Sequence, residues 1–156
     1  MKGVRMASGK DLQVSTFGYI SRCPVQVYEA IADPRQLERY FATGGVSGRL
    51  ETGSTVYWDF VDFPGAFPVQ VVSATQAEHI ELRWGQANEL RSVNFEFEPF
   101  RNFTRTKLTI TEGSWPLTPA GAQEALGSQM GWTGMLSALK AWLEYGVNLR
   151  DGFYKQ

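Results

Sequence analysis

MGWTGMLSALKAWLEYG, Met130 to Gly146, is the stretch on which the reading of this chain turns. Its apolar spacing is helical, yet it holds Gly131 and Gly134, with Gly127 just upstream. A glycine inside a helix costs about 1 kcal/mol relative to alanine, so three beside two tryptophans need a reason. On a wheel of about 100° per residue, Trp132, Met135, Leu136, Leu139, Trp142 and Leu143 share an arc of about 120°. Gln129, Thr133, Lys140 and Glu144 form a second, solvent-facing arc. Gly127, Gly131, Gly134, Ala138 and Ala141 fall within about 40° of one line. The glycines thus belong to a stripe of small residues next to a bulky one. Such a stripe has two uses: close approach of a strand, loop or second subunit, or clearance for a ligand between helix and sheet.

Outward from this stretch, Thr118-Pro119 is a helix start, with a capping hydroxyl before a first-turn proline. The helix is expected to run to about Leu149, roughly 30 residues and about 45 Å. Upstream, HIELRWG sets Ile80, Leu82 and Trp84 against Glu81 and Arg83. SVNFEFEP sets Val93, Phe95 and Phe97 against Asn94, Glu96 and Glu98, and TRTKLTIT sets Leu108 and Ile110 against Arg105, Lys107 and Thr109. STVYWDFV places Val56, Trp58 and Phe60 on one face, and another strand begins at Val69 and Val71. Alternation of this kind predicts an antiparallel sheet with one face in the core. Glu96 and Glu98 are placed to pair with Arg105 and Lys107 and help set register. VDFPGAFP, with two prolines and a glycine, reads as a loop. Leu12 to Ser21 is β-like; CPVQVYEAIADP follows as a short helix, and Asp33-Pro34 opens a second that the glycines of TGGVSG end. Residues 1–11 are expected as a flexible segment and 12–156 as a single domain. The order is one strand, two short helices, a meander of about six strands and a long helix, an α+β layout in which the helix covers the apolar face of a curved sheet.

With 156 residues, 43% hydrophobic and 20% charged, the composition fits one soluble globular domain with a real core. A net charge of −1 without a basic block gives no support to a nucleic-acid partner. No apolar run reaches membrane-spanning length, and no signal peptide is read at the start. One cysteine, Cys23, forms no internal disulfide and fits a reducing compartment, so the expected location is cytoplasmic. Cys23 precedes Pro24 at a helix start, where a helix N-terminus could lower a thiol pKa, yet a structural thiol is the simpler reading. His79, the one histidine, opens a strand and reads as a surface or turn residue. One histidine and one cysteine do not make a zinc site, and no nucleophile elbow or phosphate loop is present, so no metal, cofactor or catalytic residue is assigned. Asp59, Asp62 and Glu112 are carboxylates near possible rims; alternation sets Asp59 opposite Trp58 and Phe60. Binding is favoured over catalysis.

The segments CPVQVYEAIADPRQLERYF, HIELRWG, VNFEFEP, LTITEGSW and above all GWTGMLSALKAWLEYG occur in an order that resembles the helix-grip superfamily (START, Bet v and polyketide-cyclase-like proteins, abbreviated SRPBCC). Within it, the chain is most similar to the branch related to the C-terminal domain of the HSP-90 ATPase activator, the AHSA-type. The resemblance spans about residues 12 to 149 and implies a curved antiparallel sheet of about seven strands wrapped around a long C-terminal helix. It also implies a cavity between the two for a small apolar molecule, lipid- or polyketide-like. On that layout the ligand-binding wall comprises Trp58, Phe60, Trp84, Phe95 and Phe97 from the sheet, and Met130, Gly131, Gly134 and Met135 from the helix. Phe63 and Phe67, with Tyr40 and Phe41 from the second short helix, stand at the mouth. Walls of this kind bind by apolar burial, with one or two polar groups fixing orientation. The resemblance carries two alternatives, a chaperone-interacting module and a polyketide cyclase/dehydratase-like enzyme, and a homodimer is compatible with each.

Overall fold

Period-two alternation in the middle of the chain produces one continuous sheet. A computed structural model describes residues 4–7, 11–85 and 88–156, the first of these segments by its backbone. The elements are β1 (Val4–Ala7), β2 (Asp11–Ile20), α1 (Pro24–Ala32), α2 (Pro34–Tyr40), β3 (Gly45–Val46), β4 (Thr55–Asp59), β5 (Phe67–Thr75), β6 (His79–Trp84), β7 (Arg91–Phe100), β8 (Arg105–Pro116) and α3 (Pro119–Tyr145). The strands form a sheet in the order β1-β2-β8-β7-β6-β5-β4-β3, with every pairing antiparallel. β3 to β8 are a meander, and its last strand, β8, returns beside β2, which precedes the two short helices. β1 is an additional strand inside the segment expected to be flexible: its backbone pairs with β2, Val4 opposite Val14. Residues 1–3 and 8–10, part of that same expectation, lie outside the described residues.

The inward face carries Val56, Trp58, Ile80, Leu82, Val93, Phe95, Leu108 and Ile110, all buried, while Tyr57 on the other face of β4 is exposed. Register follows the charges only in part. Glu98 lies opposite Lys107 and pairs with it at 3.2 Å. Glu96 instead faces Thr109 on one side and His79 on the other, so the second pairing expected of it is not made. His79, the first residue of β6, hydrogen-bonds Ser73 through Nε2 at 2.9 Å.

Each helix starts on its own cap. The backbone N–H and thiol of Cys23 both donate to Gln26 Oε1, at 3.3 and 3.4 Å, ahead of Pro24. Asp33 accepts from the Arg35 N–H at 3.0 Å, and Thr118 from the Gly121 N–H at 3.1 Å. The long helix is shorter than predicted. Gly146 adopts the left-handed conformation (φ 67°) and donates to the Trp142 carbonyl at 2.9 Å, while the Val147 N–H returns to Ala141 at 3.3 Å. This is a glycine C-terminal stop. Residues 147–156 therefore leave the helix axis instead of continuing to Leu149.

Trp132, Met135, Leu136 and Leu139 are buried against the sheet, with Trp142 and Leu143 packed at the margin of the core. The helix approaches closely at Gly18 of β2, where a Cβ would lie 3.1 Å from Leu136 Cδ2. The polar arc is less solvated than expected at its C-terminal end. Glu144 has a side chain only 10% exposed and is ion-paired with Lys140, whose Nζ also donates to the Tyr19 carbonyl at 2.8 Å. Helix and β2 are thus tied along their polar edge as well as through the core. No helix among the described residues is long and apolar enough to cross a membrane.

Three carboxyls, Glu29, Asp33 and Glu144, couple this fold to pH. Hydrogen bonds from Arg49 hold Glu29 below the usual carboxylate range, against an opposing effect of burial, with Gln76 assisting. At Glu144 burial raises the value, but hydrogen bonds from Lys140 and Ser21 outweigh it and leave the group lowered. A group depressed in the folded state contributes stability that is present above its unfolded value and is lost as pH falls through the folded value. The melting temperature is therefore expected to drop on acidification through and below the carboxylate range, with a shallower slope in Glu29→Gln. An identical slope in thermal denaturation across pH would refute the Glu29 contribution.

A candidate ligand cavity between sheet and helix

Five aromatic rings close on one another where α2, the loop after β4, β5, β6 and α3 meet. Phe41 lies 5.0 Å from Phe60, Phe60 5.8 Å from Phe67, and Phe67 5.5 Å from Trp84, measured between ring centroids. Trp84 lies 5.0 Å from Trp132, and Trp132 completes the circuit at 5.9 Å from Phe41. These separations suit offset and edge-to-face aromatic contacts. The rings border a cavity of about 670 Å³. Phe63 and Met130, 52% and 61% exposed, stand on its wall and mark where it meets solvent.

One polar group is built deep into this wall. Glu112 sits on β8 two residues beyond Ile110 and four beyond Leu108, so alternation aims it at the apolar face. It is only 4% exposed. Trp84 Nε1 donates to its Oε1 at 2.7 Å, Trp132 Nε1 to its Oε2 at 2.6 Å, and the Ser128 hydroxyl also bonds Oε2. Indole N–H groups only donate, so both carboxyl oxygens of Glu112 act as acceptors here. No lysine, arginine or histidine among the described residues pairs with Glu112.

Both arginines on the wall are already engaged. Arg91 pairs with Glu124 at 3.0 Å, donates to the Ser114 carbonyl at 3.3 Å and lies 5.0 Å from the Trp115 ring centroid. Arg150 comes from the segment after α3 and forks onto Asp62 at 2.8 and 3.0 Å. Its guanidinium sits 4.9 Å from both the Phe60 and Tyr154 ring centroids. The side chains of Arg150 and Asp62 are 9% and 10% exposed. The C-terminal segment is therefore strapped to the loop after β4, where Asp59 Oδ1 accepts from the N–H groups of Phe60 and Gly65 at 2.9 Å each.

Seven of the residues expected at a binding wall line the cavity: Phe41, Phe60, Phe63, Phe67, Trp84, Met130 and Gly131. Six do not. Tyr40 is fully buried and donates to the Ala30 carbonyl at 2.9 Å. Trp58 is enclosed between Phe41 and Trp84, Phe95 is covered by Trp132, and Phe97 by Tyr28 of α1. Met135 is buried under α3. Trp132 of the helix fills the space over Phe95, Tyr28 that over Phe97 and Phe41 that over Trp58, which turns would-be wall into core. Gly134 is the sixth: a Cβ there would lie 2.1 Å from the Tyr154 hydroxyl.

The small-residue stripe is thus split between its two uses. Gly134 admits the C-terminal segment, whereas a Cβ on Gly127 or Gly131 would meet nothing within 4 Å, and both residues line the cavity. Sequence reasoning missed Arg91, Trp115, Ser128, Arg150 and Tyr154, and it left Glu112 among rim carboxylates. For Glu112 the signal was present, as an acidic residue in phase with Leu108 and Ile110. For Arg150 and Tyr154 it was the stop at Gly146. Among the described residues no group of three or more histidine, cysteine or acidic side chains is placed to hold a metal.

A curved antiparallel sheet gripping a long C-terminal helix, with a cavity between them, is the helix-grip fold of the SRPBCC superfamily. Residues 23–144 match the family described as Activator of Hsp90 ATPase homolog 1-like protein, and the chain belongs to that family. No curated protein sequence matches the chain. Among solved structures it is similar to protein SSP2350 from Staphylococcus saprophyticus, with 25% identity over 88% of this chain and 96% of that one and a TM-score of 0.76. It shares its fold with the Aha1 dimer from Colwellia psychrerythraea, with 21% identity, TM-score 0.72, and coverage of 86% and 97%. DynU16, a putative protein in the dynemicin biosynthetic locus, also shares the fold, with 24% identity, TM-score 0.76, and coverage of 88% of this chain but 49% of that one.

The two glycines make opposite predictions. Gly131→Ala adds a methyl to open space and removes a helix glycine, so it should stabilise the protein by about 0.5–1 kcal/mol. Gly134→Ala should destabilise it by displacing Tyr154, and the loss should vanish in a Tyr154→Ala background. Equal effects of the two alanines in urea denaturation would contradict the split.

Proposed function

We propose that this protein binds a small hydrophobic ligand in the cavity between its sheet and its C-terminal helix. The observation that carries the reading is an aromatic-walled space of about 670 Å³, onto which two helix glycines open without filling it. This volume lies in the range of small-molecule sites, and its wall is apolar with a few polar groups at fixed positions, the usual composition of such sites. Family membership supports the reading through the fold, and DynU16 is described by its place in a biosynthetic locus. Glu112 is held by three donors, which suits orienting a ligand better than transferring protons. The cyclase-like alternative needs an ionisable group on the wall, and Glu112 is the residue it would use.

A panel of apolar two- and three-ring compounds should raise the melting temperature and quench emission from Trp84 and Trp132. Gly131→Phe should fill the cavity and abolish both effects while the protein stays folded. If no compound shifts melting or emission, or if Gly131→Phe responds as the parent does, the reading falls.

A homodimer is a compatible assembly. Leu126, Met130 and Tyr145 of α3 and Phe153 beyond it are each more than 60% exposed, and one structural relative is described as a dimer. Light scattering at micromolar concentration is expected to give twice the 17.5 kDa chain mass, and a monomer mass would exclude it. For the chaperone alternative the support is the family's description.

A further inference from the structure

The wall of the cavity is not electrically balanced. Arg150 is neutralised by the fork of Asp62, and Arg91 by Glu124, so neither cation is free to answer another charge. Glu112 is the one buried carboxyl among the described residues, and it has no cationic partner. Its three neutral donors satisfy hydrogen bonding but supply no countercharge, and a carboxylate without one is costly in an apolar setting. An ionised carboxylate offers about four acceptor positions, and three are in use. The remaining position is on Oε1, which accepts only from Trp84. The two indoles that hold Glu112 also line the cavity, beside Phe41, Phe60 and Phe67. The cavity thus combines an aromatic wall with an unfilled acceptor position on a carboxyl group, the two features that favour a cation by ring quadrupole and by ion pairing.

We infer that the ligand is an apolar molecule bearing a protonated amine, with its ammonium group seated on Glu112 and its hydrocarbon body against the aromatic ring. This rests on the binding reading above and specifies the ligand chemistry. A carboxylate of the same skeleton is disfavoured, because it would bring a second negative charge to a wall whose arginines are already paired. An uncharged analogue keeps the apolar contacts but leaves Glu112 uncompensated. The amine must shed water to bind, so the charge acts more on selectivity than on total affinity.

Three probes of one skeleton separate these effects: 1-naphthylmethylamine, 1-methylnaphthalene and 1-naphthoic acid, titrated by calorimetry at neutral pH. The amine is expected to bind about tenfold more tightly than the methyl compound, as one charge-assisted hydrogen bond would give, with the acid weakest. In Glu112→Gln the methyl compound should bind as before while the amine loses its advantage; in Ser128→Ala the advantage should remain. Equal affinities, preference for the acid, or an amine preference that survives in Glu112→Gln would overturn the inference and leave the apolar binding reading standing. Binding by none of the three would remove both. Should Glu112→Gln fail to fold, the ranking of amine against acid in the unaltered protein decides by itself.

Discussion

The rest of this structure depends on a buried carboxylate held by two indoles. Glu112 of β8, Trp84 of β6 and Ser128 with Trp132 of α3 meet at one point, joining two strands and the helix that crosses them. A carboxylate in such a place is destabilising unless its oxygens are hydrogen-bonded, so the fold tolerates Glu112 only with the donors in position. That requirement fixes the rotation of α3 about its axis more sharply than apolar packing does, because Leu and Met accept several arrangements and an N–H···O bond accepts few. Once Trp132 is keyed to Glu112, Met135, Leu136 and Leu139 go into the core, and Gly127 and Gly131 come round to the cavity.

The cavity itself is what remains after that packing. Toward α1 the concave face is filled: Tyr28 lies on Phe97, and Trp132 covers Phe95. Toward β4 and β5 the helix presents glycine instead of bulk, and the rings of Phe41, Phe60, Phe67 and Trp84 are left bordering space. The C-terminal segment then encloses one side. Arg150 is buried between Asp62 and the rings of Phe60 and Tyr154, so a charged residue close to the end of the chain forms part of the wall instead of fraying into solvent. Two chain segments separated by about ninety positions are joined by one forked ion pair, of the geometry for which arginine is suited.

These features give the cavity a direction. Phe41, Phe60 and Phe67 contribute apolar wall, whereas Glu112 is a carboxyl group held by neutral donors beside Trp84 and Trp132. A ligand entering such a space is oriented by where its polar group can be accommodated, while its apolar body supplies the affinity. The glycine stripe contributes by subtraction, since each missing side chain on α3 is volume at the wall.

The amino-acid sequence by itself determined the helix-grip layout. Strict alternation in β6, β7 and β8 and the capped, amphipathic run from Thr118 are local patterns, and each follows from which side chains can face water. It also held about half of the expected wall, because Phe60 and Trp84 share the inward face with core residues. What it could not separate was wall from core: Trp58 and Phe60 have the same phase on the strand, yet only Phe60 borders open space. That distinction depends on what covers each residue from α2, α3 and the C-terminal segment, which is information about distant parts of the chain. The same holds for Gly131 and Gly134, alike in sequence and close on the helix wheel. Only the tertiary structure decided that one faces a cavity and the other Tyr154, because the volume beside a residue is set by its neighbours in space and not by its neighbours in the chain.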